Sequence, residues 1–305
     1  MSQTLSLKFK QLVRTRPAVR RASAPRLSVR RLSNDNRPEV LEFFESRPLH
    51  TVFMHGFIRD NGLESNQNRG VFYGCRNAEG QLQAVALIGH ATLFETRHEA
   101  ALEALANEAR KHRNIHLIMG EQGAVGTFWK SLSATRGEPC RTCTQLLFEK
   151  PLQAEQRVNR IPGLRRATPH DIALVMPVQA EMAQAESGLN PLAIDPVGFK
   201  ERYLRRIERG RVWICVEDGV LNFKADILSE TPDVTYLEGI YVKRDLRGNG
   251  FGSSCLAQVS GSLPHTTRSV CLFVNEKARE AQEFYKRAGF SLRSTYWTFF
   301  LATTR

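Results

Sequence analysis

Arg247-Gly248-Asn249-Gly250-Phe251-Gly252 joins an apolar run, Leu237 to Val242, to an amphipathic run, Gly252 to Leu263. That order reads as strand, glycine loop and helix. Such a loop turns several backbone N–H groups and a helix N-terminus toward one spot, which suits an anion and above all a phosphate. Arg247 adds a positive charge on a planar donor fork. Glycine serves where φ is positive or where the backbone must come close to a ligand. The spacing R-x-x-G-x-G differs from the dinucleotide fingerprint, and the Lys-Ser/Thr pair of a nucleotide P-loop is missing. Taken alone, the loop also fits a tight turn whose glycines only permit close packing.

The neighbouring residues narrow the choice. Leu237-Glu238-Gly239-Ile240-Tyr241-Val242 precedes the loop, and Leu272-Phe273-Val274-Asn275 follows about twenty residues later. A helical stretch then runs from Ala281 through Tyr285 and closes on Gly289-Phe290, a suitable left-handed cap. This order resembles the GNAT family of acyl-CoA-dependent N-acyltransferases over about Leu164 to Leu301. The loop matches that family's Q/R-x-x-G-x-G/A motif, and the tail matches its strand, A-x-x-x-Y helix and G-F ending. Within the family the chain is most similar to a bacterial subgroup with an extra N-terminal domain of unknown function. Phe223-Lys224-Ala225-Asp226 and Glu181 to Pro191 carry that likeness, with Gly120 to Val125 and Phe128-Trp129 in the first half.

The resemblance implies an α/β (α+β) fold, with a mixed, mostly antiparallel sheet and flanking helices in the C-terminal half. The smaller α/β lobe before it reads as a degenerate copy without the R-x-x-G-x-G motif. The implied activity is N-acetyl transfer from acetyl-CoA to an unidentified primary amine by direct attack. The alternative is a non-catalytic acyl-CoA sensor. Gly248, Asn249, Gly250, Phe251 and Gly252, with Arg247 beside them, would hold the pyrophosphate. The backbone of Ile240, Tyr241 and Val242 would pair with pantetheine, with Gly239 supplying a bulge. An N–H there would stabilise the tetrahedral oxyanion. Glu238 stands where several members place a general base; the alternative is a carboxylate paired with a cation such as Lys224. Tyr285 matches the tyrosine that protonates the departing thiolate; the alternative is a core aromatic. Ala278 occupies the place of a usual cofactor-contacting Asn, and Asn275 is the candidate replacement. Glu181 and Glu186 border the acceptor side, or are plain exposed helix carboxylates.

Composition limits the other classes. The chain has 305 residues, 42% hydrophobic and 24% charged, which suits a globular protein of two ordinary domains. No apolar run is long enough to cross a bilayer. Nine Lys and Arg residues precede the first acid, Asp35, so the net charge of +12 belongs largely to the N-terminus. Nucleic-acid binding would therefore rest on that tail alone. Residues 1–34 read as a disordered basic extension, with a transit peptide or an overlong start as alternatives. Residues 35–150 form the first lobe, 151–163 a linker and 164–305 the acyltransferase domain. Cys140 and Cys143 form a C-x-x-C with no second pair, so no metal is expected. Scattered cysteines without a secretory signal imply reduced thiols and a cytoplasmic protein.

Overall fold

Alternating apolar runs separated by turn residues build two halves with the same element order, apart from one extra short helix in the second. The computed structural model describes residues 27–152 and 160–302. The first half runs β1 (Ser28–Arg31), α1 (Arg37–Glu45), α2 (Pro48–Asn61), β2 (Gly70–Arg76), β3 (Leu82–Gly89), β4 (Ala91–Thr96), α3 (Glu99–Ala109), β5 (Leu117–Glu121), α4 (Gln122–Leu132) and β6 (Arg141–Pro151). The second runs β7 (Leu164–Arg166), α5 (Ile172–Ser187), α6 (Pro191–Ile194), α7 (Pro196–Glu208), β8 (Val212–Glu217), β9 (Val220–Glu230), β10 (Val234–Val242), α8 (Phe251–Gly261), β11 (Ser269–Asn275), α9 (Arg279–Arg287) and β12 (Ser291–Phe300). The hairpin at Glu217-Asp218-Gly219 forms as read. Its turn has φ 49° at Asp218 and 75° at Gly219, the left-handed pair a tight two-residue connection requires.

All twelve strands form one sheet in the order β1-β2-β3-β4-β5-β12-β6-β11-β10-β9-β8-β7. Reading inward from either edge gives the same sequence of elements, except that the last strands have changed places. β12 lies between β5 and β6, and β6 pairs with β11. Phe148 of β6 faces Leu272 on one side and Leu292 on the other. The boundary drawn at 151–163 thus separates the halves in sequence but not in the sheet.

Strand alternation sorts the helices onto two faces. Ala84, Ala86 and Ile88 of β3 pack with α3 and α4, while Val85 and Leu87 pack with α1 and α2. In the second half, Trp213 and Cys215 of β8 face α8, and Val212 and Ile214 face α7. α2 also crosses to the other half. Ser229 Oγ donates to the Val52 carbonyl at 2.6 Å, and Phe53 packs on Tyr236 with ring centroids 4.5 Å apart. A side chain at Gly56 would strike Ser229 Oγ, so glycine permits this contact. Arg211 and Arg209 both pair with Asp60, joining the halves a second time.

Two features differ from the sequence reading. Ser28–Arg31, placed there in the disordered extension, is an edge strand antiparallel to β2, and Leu32 is buried. The remainder of that extension, residues 1–26, and the linker residues 153–159 lie outside the described residues. α2 was not anticipated. Its buried residues, including Thr51, Val52, Met54, His55 and Ile58, point in several directions, so no single helical stripe marks it.

Residues 164–305 alone would lack both strand neighbours of β12 and the partner β6 of β11. That fragment is expected to aggregate or to show no cooperative thermal transition by circular dichroism. Co-expression with residues 1–152 should restore one. Burial of His55 lowers its pKa to about 4, and burial does the same to His90. Each is stabilising in neutral form above its unfolded value near 6.5. That stability is lost as pH falls from 6.5 to 4. The melting temperature should drop across this window, less steeply in His55→Gln.

Candidate active site

The site begins where β10 leaves β11. The two pair in parallel at Val234, Thr235 and Tyr236, and the pairing stops there. Against β9, Glu238 faces Asp226 and Tyr241 faces Lys224, so Gly239 and Ile240 together oppose a single residue. This is a bulge, with Gly239 at φ 58°. A side chain at Gly239 would lie 2.7 Å from Lys224 Nζ. The divergence opens a cleft of about 1080 Å³. Ile240, Tyr241 and Val242 form one wall, Val178, Glu181 and Met182 of α5 another, and Phe284 and Tyr285 of α9 a third.

The glycine loop closes one end. Gly248 and Gly250 have φ of 83° and 85°, and nothing crowds a side chain at either, so backbone conformation alone calls for glycine there. Gly252 differs: a Cβ would lie 2.7 Å from Val242 Cγ2, and glycine lets α8 seat against β10. Arg247 Nε donates to the Val242 carbonyl at 2.9 Å, which aims the exposed guanidinium along the cleft mouth. The first-turn N–H groups of Gly252 and Ser253 have no acceptor within the helix. Arg279 and Arg287 add positive charge to the same lining, and neither was singled out from sequence.

Three of the expected cofactor residues have local partners of their own. Asn249 Oδ1 accepts from the Phe251 N–H at 3.1 Å and so holds the loop's shape. Phe251 packs into the core with Leu256 and Val259. Asn275 Oδ1 accepts from the Lys277 N–H at 2.9 Å in the turn before α9. None of the three lines the cleft. Gln179 of α5 was missed. Its Oε1 is buried without a partner, 3.1 Å from where a Gly239 Cβ would sit. A single glutamine on a helix carries no spacing signal, which is why sequence could not find it.

Beneath the bulge lies a buried ion network. Lys224 Nζ donates to the Gly239 carbonyl at 3.0 Å and pairs with Asp226 at 2.9 Å. Arg206 of α7 pairs with Asp226 at 3.0 Å and with Glu238 at 2.7 Å, and Tyr203 donates to Asp226 at 3.1 Å. Glu238 therefore has Arg206 as its partner, not Lys224. Both Lys224 and Asp226 have fully buried side chains. Burial pushes the Lys224 ammonium below its ordinary range despite Asp226. For Arg206 burial acts the same way, but Glu238 and Asp226 together outweigh it and hold the guanidinium charged. Tyr285 lines the cleft with its ring edge-on to Phe284 at 5.0 Å and to Phe290 at 5.8 Å. Burial raises its phenol well above the usual value, so the proton is retained at neutral pH.

The family model described as FR47-like protein matches residues 222–298, the stretch holding the bulge, loop and tyrosine helix. A Drosophila protein superposes with a TM-score of 0.62 at 13% identity, covering 90% of this chain and 99% of its own. A tandem GNAT protein from the clavulanic acid biosynthesis pathway gives 0.55 at 15% identity, with 92% and 100% covered. A GNAT-family acetyltransferase from Colwellia psychrerythraea gives 0.52 at 13%, with 91% and 100% covered. The chain has the tandem GNAT fold. No curated protein sequence matches it.

In that fold the first half is a copy without a comparable cleft. β4 also leaves β5 after Leu93, opposite Met119. Arg47 fills the opening, pairing with Glu95 at 2.9 Å and Glu121 at 2.6 Å, and the space left is about 60 Å³. α3 is entered through Thr96-Arg97-His98, with no glycine loop.

Asp226→Ala leaves Lys224 and Arg206 without their shared partner. It should cost about 3–5 kcal/mol in urea unfolding, while Asp226→Asn costs less. Gly250→Ala should cost about 1–2 kcal/mol through backbone strain.

Proposed function

We propose that the second half is an acyl-CoA-dependent N-acyltransferase that moves acetyl from acetyl-CoA to a primary amine. The observation that carries this reading is the bulge at Gly239, which opens a cleft ending on the Gly248–Gly252 loop. The cleft's chemistry suits a long donor with an anionic end and an amide-bearing arm. Arg247, with the Gly252 and Ser253 N–H groups, offers charge and donors for the phosphates. Arg279 and Arg287 are placed to add to that field. Backbone groups of Ile240 to Val242, released from β11, can hydrogen-bond the arm.

The chain's residues then divide the chemistry. A backbone N–H beside Gly239 stabilises negative charge on the thioester oxygen as the amine attacks. Tyr285, protonated throughout the physiological range, donates to the departing sulfur. Glu238 contributes a carboxylate close to the attacking nitrogen, the position sequence reading gave to the base. Positioning both reactants in one cleft supplies much of the remaining acceleration. All six cysteines are free thiols, which fits a reducing compartment such as the cytoplasm.

Acetyl-CoA should raise the melting temperature. At one hundred times its Kd the added stability is about 2.7 kcal/mol. Arg247→Glu should remove the shift, and a wild-type protein that shows none at millimolar acetyl-CoA would refute the reading. Tyr285→Phe should keep the shift yet lower kcat about 100-fold. A shift without any thiol release from a broad amine set would favour a sensor instead.

A further inference from the structure

The peptide joining Gly239 to Ile240 stands where β10 has lost one neighbour and keeps the other. Two observations fix the way it faces. The Lys243 N–H donates to the Asn222 carbonyl at 2.9 Å, and in the same register Tyr241 faces Lys224 of β9. Backbone groups alternate along an antiparallel strand. The N–H groups of Lys243 and Tyr241 therefore point to β9, and those of Val242 and Ile240 point away from it. Independently, the Gly239 carbonyl accepts from Lys224 Nζ, a β9 side chain, at 3.0 Å. In a trans peptide the N–H lies opposite the carbonyl, and no cis peptide occurs among the described residues. Both arguments send the Ile240 N–H to the side away from β9. There β11 has stopped pairing at Tyr236, and Ile240 lines the cleft.

The lysine that holds this peptide is an expensive choice. Lys224 is 0% exposed, and a buried ion pair is often no more stabilising than apolar residues of the same volume. Asp226, itself fully buried, has to answer it, and Arg206 and Tyr203 in turn hold Asp226. The first half serves as an internal control. Its equivalent pair, β3–β4, runs in unbroken register from Ala84 opposite Thr96 to Leu87 opposite Leu93. β3 carries no charged residue, and its cleft is the filled one. The bulge, the buried lysine and the open cleft occur together in the second half and are missing together from the first, among the described residues. A charged donor on the carbonyl makes a stronger bond than a neutral one and draws electron density from the amide, which sharpens the N–H on the other side as a donor.

We infer that Lys224 is a positioning residue for acyl transfer: its ammonium holds and polarises the Gly239–Ile240 peptide, and the Ile240 N–H is the donor that meets the thioester oxygen. The inference rests on the N-acyltransferase reading and deepens it by naming the donor and the group that strengthens it. The lone pair of the neutral amine forms the C–N bond, and the C=O π pair moves onto oxygen, where the Ile240 N–H meets the growing charge. Collapse of that oxyanion breaks the C–S bond. The departing thiolate takes the Tyr285 proton, and the surplus proton on nitrogen restores the phenol. Amine and thioester thus become amide and thiol with no net proton change. Lys224 touches neither reactant, so its effect falls on the charge-developing step rather than on donor binding.

The test needs no knowledge of the acceptor. Acetyl-CoA isotopically labelled at its thioester carbonyl is bound to the full chain and its carbonyl stretch read by infrared difference spectroscopy, with Kd from calorimetry. In the wild type the stretch should move to lower wavenumber on binding. Lys224→Met should lose at least half of that shift while Kd changes little. Lys224→Met with Asp226→Asn also removes the stranded carboxylate, which guards against misfolding, and should show the same loss. With an amine from a broad set, kcat for either variant should fall about tenfold or more, a part of what a whole oxyanion donor contributes, while KM for acetyl-CoA stays near the wild-type value. A wild-type carbonyl unshifted on binding, or the full shift retained in the variants, overturns the proposal. So does a loss of shift that only accompanies a Kd weakened about 100-fold, since that marks a lysine that merely supports the cleft's shape. A wild-type protein that binds no acetyl-CoA at all refutes the N-acyltransferase reading itself.

Discussion

The antiparallel pair β6–β12 is the constraint on which the rest depends. Each strand ends its own half in sequence and completes the other half in space. β6 carries Leu147 and Phe148, both buried, and is flanked by β11 and β12. Removing either strand would bare a long, apolar edge in the middle of the sheet, which proteins do not leave open. The exchange therefore fuses the halves into one cooperative body. It also brings Gln145 of the first half into hydrogen-bond contact with Glu186 of α5 in the second.

A second constraint acts within the cleft. A parallel strand pair closes unless something drives it apart, and here the wedge is the bulge at Gly239. Lys224 holds the Gly239 carbonyl from below, Asp226 holds Lys224, and Arg206 ties Asp226 to Glu238. A charged lysine buried in this way is tolerable only because Asp226 answers it. The network fixes the bulge's backbone, and the bulge fixes which N–H and C=O groups face the cleft.

The first half shows how little separates an open cleft from a closed one. It has the same strand divergence, yet Arg47 projects into the gap and bonds two carboxylates there. In the second half the cationic arginine, Arg247, is tied to the loop backbone and faces outward. One fold thus carries a filled cleft and an open one, distinguished by where a guanidinium is anchored.

Local features were legible in the sequence because local physics produces them. Gly248 and Gly250 were readable as positive-φ positions, the apolar run before them as a strand, and Gly289-Phe290 as a helix end. The α/β character and the cleft wall from Ile240 to Val242 followed from that order. The local caps made by Asn249 and Asn275 were not legible, because an asparagine serves equally well as a ligand contact or as a turn cap and sequence does not distinguish the two. The pairing of Glu238 with Arg206, the orphaned oxygen of Gln179 and the reach of α2 across the sheet arise between residues far apart in the chain. So does the exchange of β6 and β12: a strand's apolar pattern says that it is buried, not beside whom. Sequence determined the glycine loop and the strand leading to it. Tertiary structure decided which half keeps its cleft open and how the two halves share one sheet, because those outcomes depend on long-range packing and charge pairing.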